Sequence, residues 1–119
     1  MMKHLRKFNE DVENEKEEVS KKDKSIELAK ECIAKCEECK EVCEKEGHKE
    51  SVESCNECIE TCNLYIFSAE NESRNFDKIG RLSCDVAMDC ANVCSDEGEG
   101  ICVESCMDFA EEVESLLEN

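Results

Sequence analysis

The segment CIAKCEECKEVC, Cys32 to Cys43, places four cysteines in twelve residues at intervals of four, three and four. These intervals follow the 3.6-residue period of an amphipathic helix, so the thiols occupy the stripe on which a helix ordinarily carries leucine. The pattern recurs along the chain. CNECIETC carries Cys55, Cys58 and Cys62; CDVAMDCANVC carries Cys84, Cys90 and Cys94; CVESC carries Cys102 and Cys106.

Around these segments the chain has no proline, and three of its four glycines fall in two polar breaks, KEGHKE and DEGEG. Uninterrupted helices follow, since proline and glycine are the strongest breakers. Helices are predicted at about Ser25 to Glu46, Lys49 to Asn71, Asn75 to Asp96 and Gly100 to Leu117. On the second helix the apolar stripe is Cys55, Cys58, Cys62, Tyr65, Ile66 and Ala69. On the third it is Ile79, Leu82, Cys84, Ala87, Ala91 and Cys94, with Cys90 at its edge. On the fourth it is Cys102, Cys106, Phe109, Ala110, Val113 and Leu117. Short connections make neighbours antiparallel, so the expected fold is all-α, an up-down four-helix bundle over residues 25–119. Residues 1–24 form a charged N-terminal leader, weakly amphipathic through Leu5, Phe8, Val12 and Val19, expected as a docked helix or a frayed tail.

A chain of 119 residues is of single-domain size, but with no Trp and one Tyr its ordinary apolar residues make a thin core, and the 12 cysteines must fill part of it. The net charge of −17 sits almost wholly after Lys24. Such a surface repels phosphate backbones and anionic lipid, which excludes nucleic acid and membrane as expected partners. The first residues lack the apolar stretch of a secretory signal, and the longest strongly apolar run elsewhere is LYIF, far too short to span a bilayer. The expected location is the cytoplasm, where abundant cysteines point to metal or redox chemistry before structural disulfides. No Ser/His/acid triad is supported with only two histidines, and no enzyme is expected.

In an up-down bundle both glycine breaks lie at one end. Ranked by distance from that end, Cys43, Cys94 and Cys102 form the expected mouth. Cys39, Cys55, Cys90 and Cys106 come next, then Cys36 and Cys58, with Cys32, Cys62 and Cys84 deepest. The other end turns conventional, with Ile26, Leu28, Leu64, Ile66, Phe76, Ile79, Val113, Leu116 and Leu117 as an apolar plug. The thiols thus line a tube.

Thiolate selects Cu(I), Zn(II) and iron–sulfur clusters. Cysteines four apart on a helix have Cβ atoms about 5 to 6 Å apart, which suits a two-coordinate Cu(I) between them. Such pairs are Cys32 with Cys36, Cys39 with Cys43, Cys58 with Cys62, Cys90 with Cys94, and Cys102 with Cys106. Two rivals stay open. Cys36, Cys39, Cys55 and Cys58 satisfy a C-x2-C-x15-C-x2-C zinc spacing, although inside predicted helices. Cys39, Cys43, Cys58 and Cys62 make a twin C-x3-C hairpin, a disulfide-linked interaction module that would leave the remaining cysteines unexplained. The plainest reading, cysteine as a small buried hydrophobe, suits one or two positions better than twelve aligned at one end.

The layered C-x3-C and C-x2-C pattern resembles the bacterial copper storage proteins, a cysteine-rich four-helix bundle family, over about Ser25 to Leu117. That resemblance implies storage of multiple Cu(I) ions by core thiolates, with all twelve cysteines as candidate ligands. It also implies loading at an open end from a copper chaperone or small-thiol donor, a cytosolic location where no export signal is present, and self-association into a homo-oligomer. His48, in the loop at the thiol end, stands where the family often has His or Met as the first ligand met by copper. Met88 and Met107 fall near the cysteine layers as secondary candidates.

Overall fold

A computed structural model describes the backbone of residues 2–118 and the side chains of residues 21–118. It contains four helices: α1 Met2–Glu46, α2 Lys49–Glu70, α3 Phe76–Asp96 and α4 Val103–Glu118. Consecutive helices pack against each other and α1 packs against α4, which closes the ring into an all-α four-helix bundle. Among the described residues there is no strand, and no helix is long and apolar enough to cross a membrane.

The helix predicted from about Ser25 in fact begins at Met2, with no break in backbone between leader and bundle. The chain has neither proline nor glycine before Gly47, so nothing interrupts the hydrogen-bond ladder. Its 45 residues span about 68 Å at 1.5 Å per residue, which matches the 65 Å long axis of the molecule. The leader's predicted apolar positions, Leu5, Phe8, Val12 and Val19, lie outside the residues whose side chains are described.

Each helix turns one seam of fully or almost fully buried residues inward, at alternating intervals of three and four. The seam of α1 is Ser25, Ala29, Cys32, Cys36, Cys39 and Cys43; that of α2 is Ser51, Cys55, Cys58, Cys62, Tyr65 and Ala69. That of α3 is Gly80, Ser83, Ala87, Cys90 and Cys94, and that of α4 begins with Cys102 and continues as Cys106, Phe109 and Val113. Such a seam keeps neighbouring helices nearly parallel, as in coiled-coil-like bundles. It also stacks the side chains in layers, so that residue size must be balanced across each layer.

Both turns at the thiol end are built alike. Gly47 and Gly98 take the left-handed conformation, with φ of 79° and 83°. His48 N–H donates to Cys43 O at 2.9 Å and Glu99 N–H to Cys94 O at 2.8 Å, the six-to-one bond of a Schellman turn. The turns therefore end α1 and α3 at matching heights, one turn beyond Cys43 and Cys94.

At the opposite end Tyr65 and Phe109 are fully buried, their rings edge-on with centroids 5.2 Å apart, and Phe76 lies 5.4 Å from Tyr65. Small facing residues make room for them: Ser25 and Ala29 on α1, Ser68 and Ala69 on α2, Ser83 on α3. Gly80 lets α4 pack closely there: a Cβ would stand 3.0 Å from Leu117 Cδ1, which would have to shift. Ser25 Oγ–H donates to Lys22 O at 2.7 Å, so the Tyr65 hydroxyl, also 2.7 Å away, donates to Ser25 Oγ. Leu64, assigned to this plug by its sequence neighbours, is instead exposed. It directly precedes the seam residue Tyr65, and adjacent helical positions lie about 100° apart.

Candidate metal centre

All twelve cysteines are free thiols, and all except Cys84 are fully buried. Their closest approaches run between helices. Cys32 Sγ lies 3.6 Å from Cys58 Sγ on α2 and 3.6 Å from that of Cys106 on α4. Cys36 lies 3.8 Å from Cys106. Nearer the glycine turns, Cys39 stands 3.7 Å from Cys94, Cys55 stands 3.8 Å from Cys94, and Cys90 reaches Cys55 at 4.0 Å and Cys102 at 3.9 Å. Of the pairs expected four apart along one helix, Cys39 and Cys43 approach directly, at 3.9 Å. Three tetrads have all four sulfurs within 4.8 Å of one another: Cys32, Cys36, Cys58, Cys106; Cys36, Cys90, Cys102, Cys106; and Cys39, Cys55, Cys94, Cys102.

The sequence order of heights is corrected on α4. Cys102, expected at the mouth, meets Cys36 and Cys90, and Cys106 meets Cys32 and Cys58. The fourth helix is thus roughly one turn, about 5 Å, deeper than equal spacing would place it. The cause is the connection: α3 ends at Asp96 and α4 starts at Val103, and non-helical residues advance up to about 3.3 to 3.6 Å each against 1.5 Å in a helix.

The third helix carries a second correction. Cys84, placed on its inner face and among the deepest thiols, is only half-buried and stands outside the sulfur file, with its S–H directed to Ala110 O at 3.4 Å. Cys90, placed at the edge, is central. The reason is angular. Cys90 and Cys94 continue backwards through Ala87 and Ser83 in steps of three and four, whereas Cys84 lies six residues before Cys90 and so about 120° around the helix. For the same reason Leu82, also assigned to the face, is exposed. Cys84→Ser is therefore expected to leave the metal capacity of the protein unchanged, while Cys36→Ser lowers it. Titration of both variants with Cu(I) checks this, and equal losses would contradict it.

The rival spacings do not assemble as units. The four cysteines of the zinc-like spacing divide, Cys36 and Cys58 into one tetrad, Cys39 and Cys55 into another. In the twin C-x3-C reading Cys39 would face Cys62 and Cys43 would face Cys58, but Cys58 meets Cys32 and Cys106, and Cys39 meets Cys94. Met88 and Met107 lie on the outer surface, 37% and 38% exposed, rather than between cysteine layers.

The mouth holds two features that spacing did not reveal. Glu97, at the C-terminus of α3, accepts hydrogen bonds from Ser51 N–H at 3.1 Å and from Ser51 Oγ–H. Its carboxylate thereby satisfies a free donor in the first turn of α2 and ties the two glycine turns together. His48 follows Cys43 in the first glycine turn with Nε2 4.0 Å from Glu46 Oε1, and its Nδ1 is buried with no hydrogen-bond partner among the described residues.

Burial and sulfur neighbours sort the thiols by proton affinity. Cys106 and then Cys36 hold the Cys32 thiol down, to about 6. Burial, joined by the charge of Cys102, pushes Cys39 up to about 12. Burial, with Glu114 and Asp85 adding to it, pushes Cys84 up to about 11, and burial raises Tyr65 to about 12. A thiolate here is stabilised by S–H groups that stay protonated, so a metal ion entering the file must expel protons. Groups with raised values make the folded state hold protons that the unfolded chain releases, so their stabilisation is complete below the unfolded value and is lost as pH climbs through the folded one. The metal-free protein is expected to lose thermal stability between the ordinary thiol value of 9.0 and about 12. Melting curves across that range check the sign.

Four helices closing over a continuous file of buried thiols from every helix define a cysteine-cored bundle with preformed groups of metal-ligating sulfur. The family model described as copper storage protein matches residues 18–118. The chain belongs to the copper storage protein family. No curated protein and no solved structure matches it.

Proposed function

We propose that the protein stores or sequesters multiple Cu(I) ions in the cytoplasm, as a non-enzymatic component of copper homeostasis. The observation that carries this reading is the file itself: eleven fully buried cysteines drawn from four helices, each tetrad of sulfurs lying within 4.8 Å. Soft thiolates in a compact, water-poor core suit Cu(I), and bridging sulfur allows about one ion per thiol, or ~10 per chain. Family membership supports the choice of copper.

In this reading the ligands are Cys32, Cys36, Cys39, Cys43, Cys55, Cys58, Cys62, Cys90, Cys94, Cys102 and Cys106. Cys84, proposed from sequence as a twelfth, has no sulfur partner to share an ion with. His48 is the first ligand met by incoming copper, supported by its place in the turn after Cys43 and by its buried Nδ1, which has no hydrogen-bond partner among the described residues. A copper chaperone or a small thiol delivers the ion at that mouth, and the subunits self-associate. The division into a charged leader, 1–24, and a metal-holding bundle, 25–119, belongs to the same proposal. It is supported by Ser25, which is, among the described side chains, the first fully buried one and bonds to Tyr65 of α2.

The test is an anaerobic Cu(I) titration of the reduced protein against a chromogenic competitor. Uptake of ~10 tightly held ions per chain is expected, with His48→Ala reaching the same capacity more slowly. Saturation at one or two ions would overturn storage.

A further inference from the structure

The metal-free core already has the dimensions of a different coordination chemistry. A tetrahedral Zn(II) tetrathiolate, with Zn–S near 2.3 Å, has sulfur–sulfur edges of about 3.8 Å. In the tetrad Cys32, Cys36, Cys58, Cys106 the sulfur separations include 3.6, 3.6, 3.8 and 4.0 Å. In the tetrad Cys39, Cys55, Cys94, Cys102 they include 3.7 and 3.8 Å. All other edges in both stay within 4.8 Å. These two tetrads share no residue, so both can be filled at once. The middle tetrad takes Cys36 and Cys106 from the first and Cys102 from the second, and is therefore excluded when they are full.

We propose that the bundle holds two separate tetrahedral sites for a thiophilic divalent cation of the Zn(II) class, an inner one of Cys32, Cys36, Cys58 and Cys106 and an outer one of Cys39, Cys55, Cys94 and Cys102. Each filled site carries two negative charges, and the helical backbone has no free N–H groups to offer its sulfurs. Spare thiols take that role. Cys43 lies 3.9 Å from Cys39, and Cys90 directs its S–H to Cys55 at 4.0 Å and lies 3.9 Å from Cys102. Each ion replaces whatever protons the four cysteines of its site still carry, which pass to solvent, with no change in the oxidation state of metal or sulfur. A chain filled in this way presents no complete tetrad to another ion, so divalent metal and copper compete for one core.

Co(II) is the probe, because a tetrahedral thiolate site gives it intense visible d–d bands that octahedral Co(II) lacks. Anaerobic titration of the full reduced chain is expected to give those bands with an end point at two Co(II) per chain, one for each non-overlapping tetrad, and Zn(II) should bleach them. Cys58→Ser and Cys55→Ser should each lower the end point to one, whereas Cys84→Ser, whose sulfur belongs to none of the three tetrads, should leave it at two. An end point of one in the wild type, weak octahedral bands, or a loss of a site in Cys84→Ser would overturn the proposal. Helix content by far-ultraviolet circular dichroism identifies a variant that fails to fold, and Cys32→Ser and Cys94→Ser then replace Cys58→Ser and Cys55→Ser. Cu(I) titration of the same preparation separates this inference from the storage reading. Copper uptake without tetrahedral Co(II) refutes the divalent sites alone, and tetrahedral Co(II) without copper uptake refutes storage alone.

Discussion

Loading the reduced protein with Cu(I) is expected to raise its thermal unfolding midpoint by roughly 15 °C or more, and a strong copper chelator should return the curve to its starting position. The magnitude follows from mass action. A ligand held at a thousand times its dissociation constant stabilises the fold by about 4.1 kcal/mol per site, and a domain near 100 residues gains about 4 °C per kcal/mol. Binding to the unfolded chain would erode this, since its cysteines remain nucleophilic ligands. The erosion is limited here because, apart from Cys39 with Cys43, the close sulfur contacts form through tertiary structure: Cys32 and Cys106 are 74 residues apart in sequence, and Cys39 and Cys94 are 55 apart. Differential scanning fluorimetry under argon reads the shift. A curve that does not move on loading would place the metal outside the core.

The bundle was legible in the sequence because two kinds of signal coincide. The 3.6-residue stripe identifies four helices, and the glycines at Gly47 and Gly98 are needed where the turns take positive φ. The stripes of α1, α2 and α4 were read with nearly the residues that the seams use, since their cysteines themselves carry the alternating three and four. On α3 the cysteines are interrupted by residues that look apolar but point outward, Leu82 among them, and the small seam residues Gly80 and Ser83 give no hydrophobic signal. Following Cys94 and Cys90 back in strict steps of four and three would have found Ala87, Ser83 and Gly80, and would have set Cys84 aside.

The candidate site was legible as a list of residues and much less as a geometry. Spacing along one helix fixes which thiols share a face, so pairs four apart were the natural units. Once helices pack, sulfurs from different helices come closer than most of those pairs, and the depth of α4 depends on a connection whose path no periodicity encodes. The contact of Ser51 with Glu97 lies beyond sequence reading for the same reason. Two polar residues 46 positions apart meet because both glycine turns lie at one end.

Phe109→Ala is expected to cost about 3 to 5 kcal/mol in the metal-free protein, a large part of the 5 to 15 kcal/mol that holds a typical domain folded. Phe109 is fully buried and packs against Tyr65 in a T-shaped aromatic contact, so its removal opens a cavity in the plug. At about 4 °C per kcal/mol the midpoint falls by roughly 12 to 20 °C. Phe109→Leu, which keeps most of the volume, should lose less than half as much. The number of Cu(I) ions bound is expected to stay at the wild-type value in both variants, because every tetrad of sulfurs lies toward the glycine turns from Phe109. Loading should also recover most of the lost melting temperature, since metal held by the proposed ligands would tie the helices together where the plug does not reach. Thermal melts and Cu(I) titrations of the two variants, each with and without copper, separate the contributions. Capacity falling in step with stability would mean that the aromatic plug and the thiol file form one cooperative core, rather than an apolar anchor that keeps four helices aligned while half of their interior is given to metal.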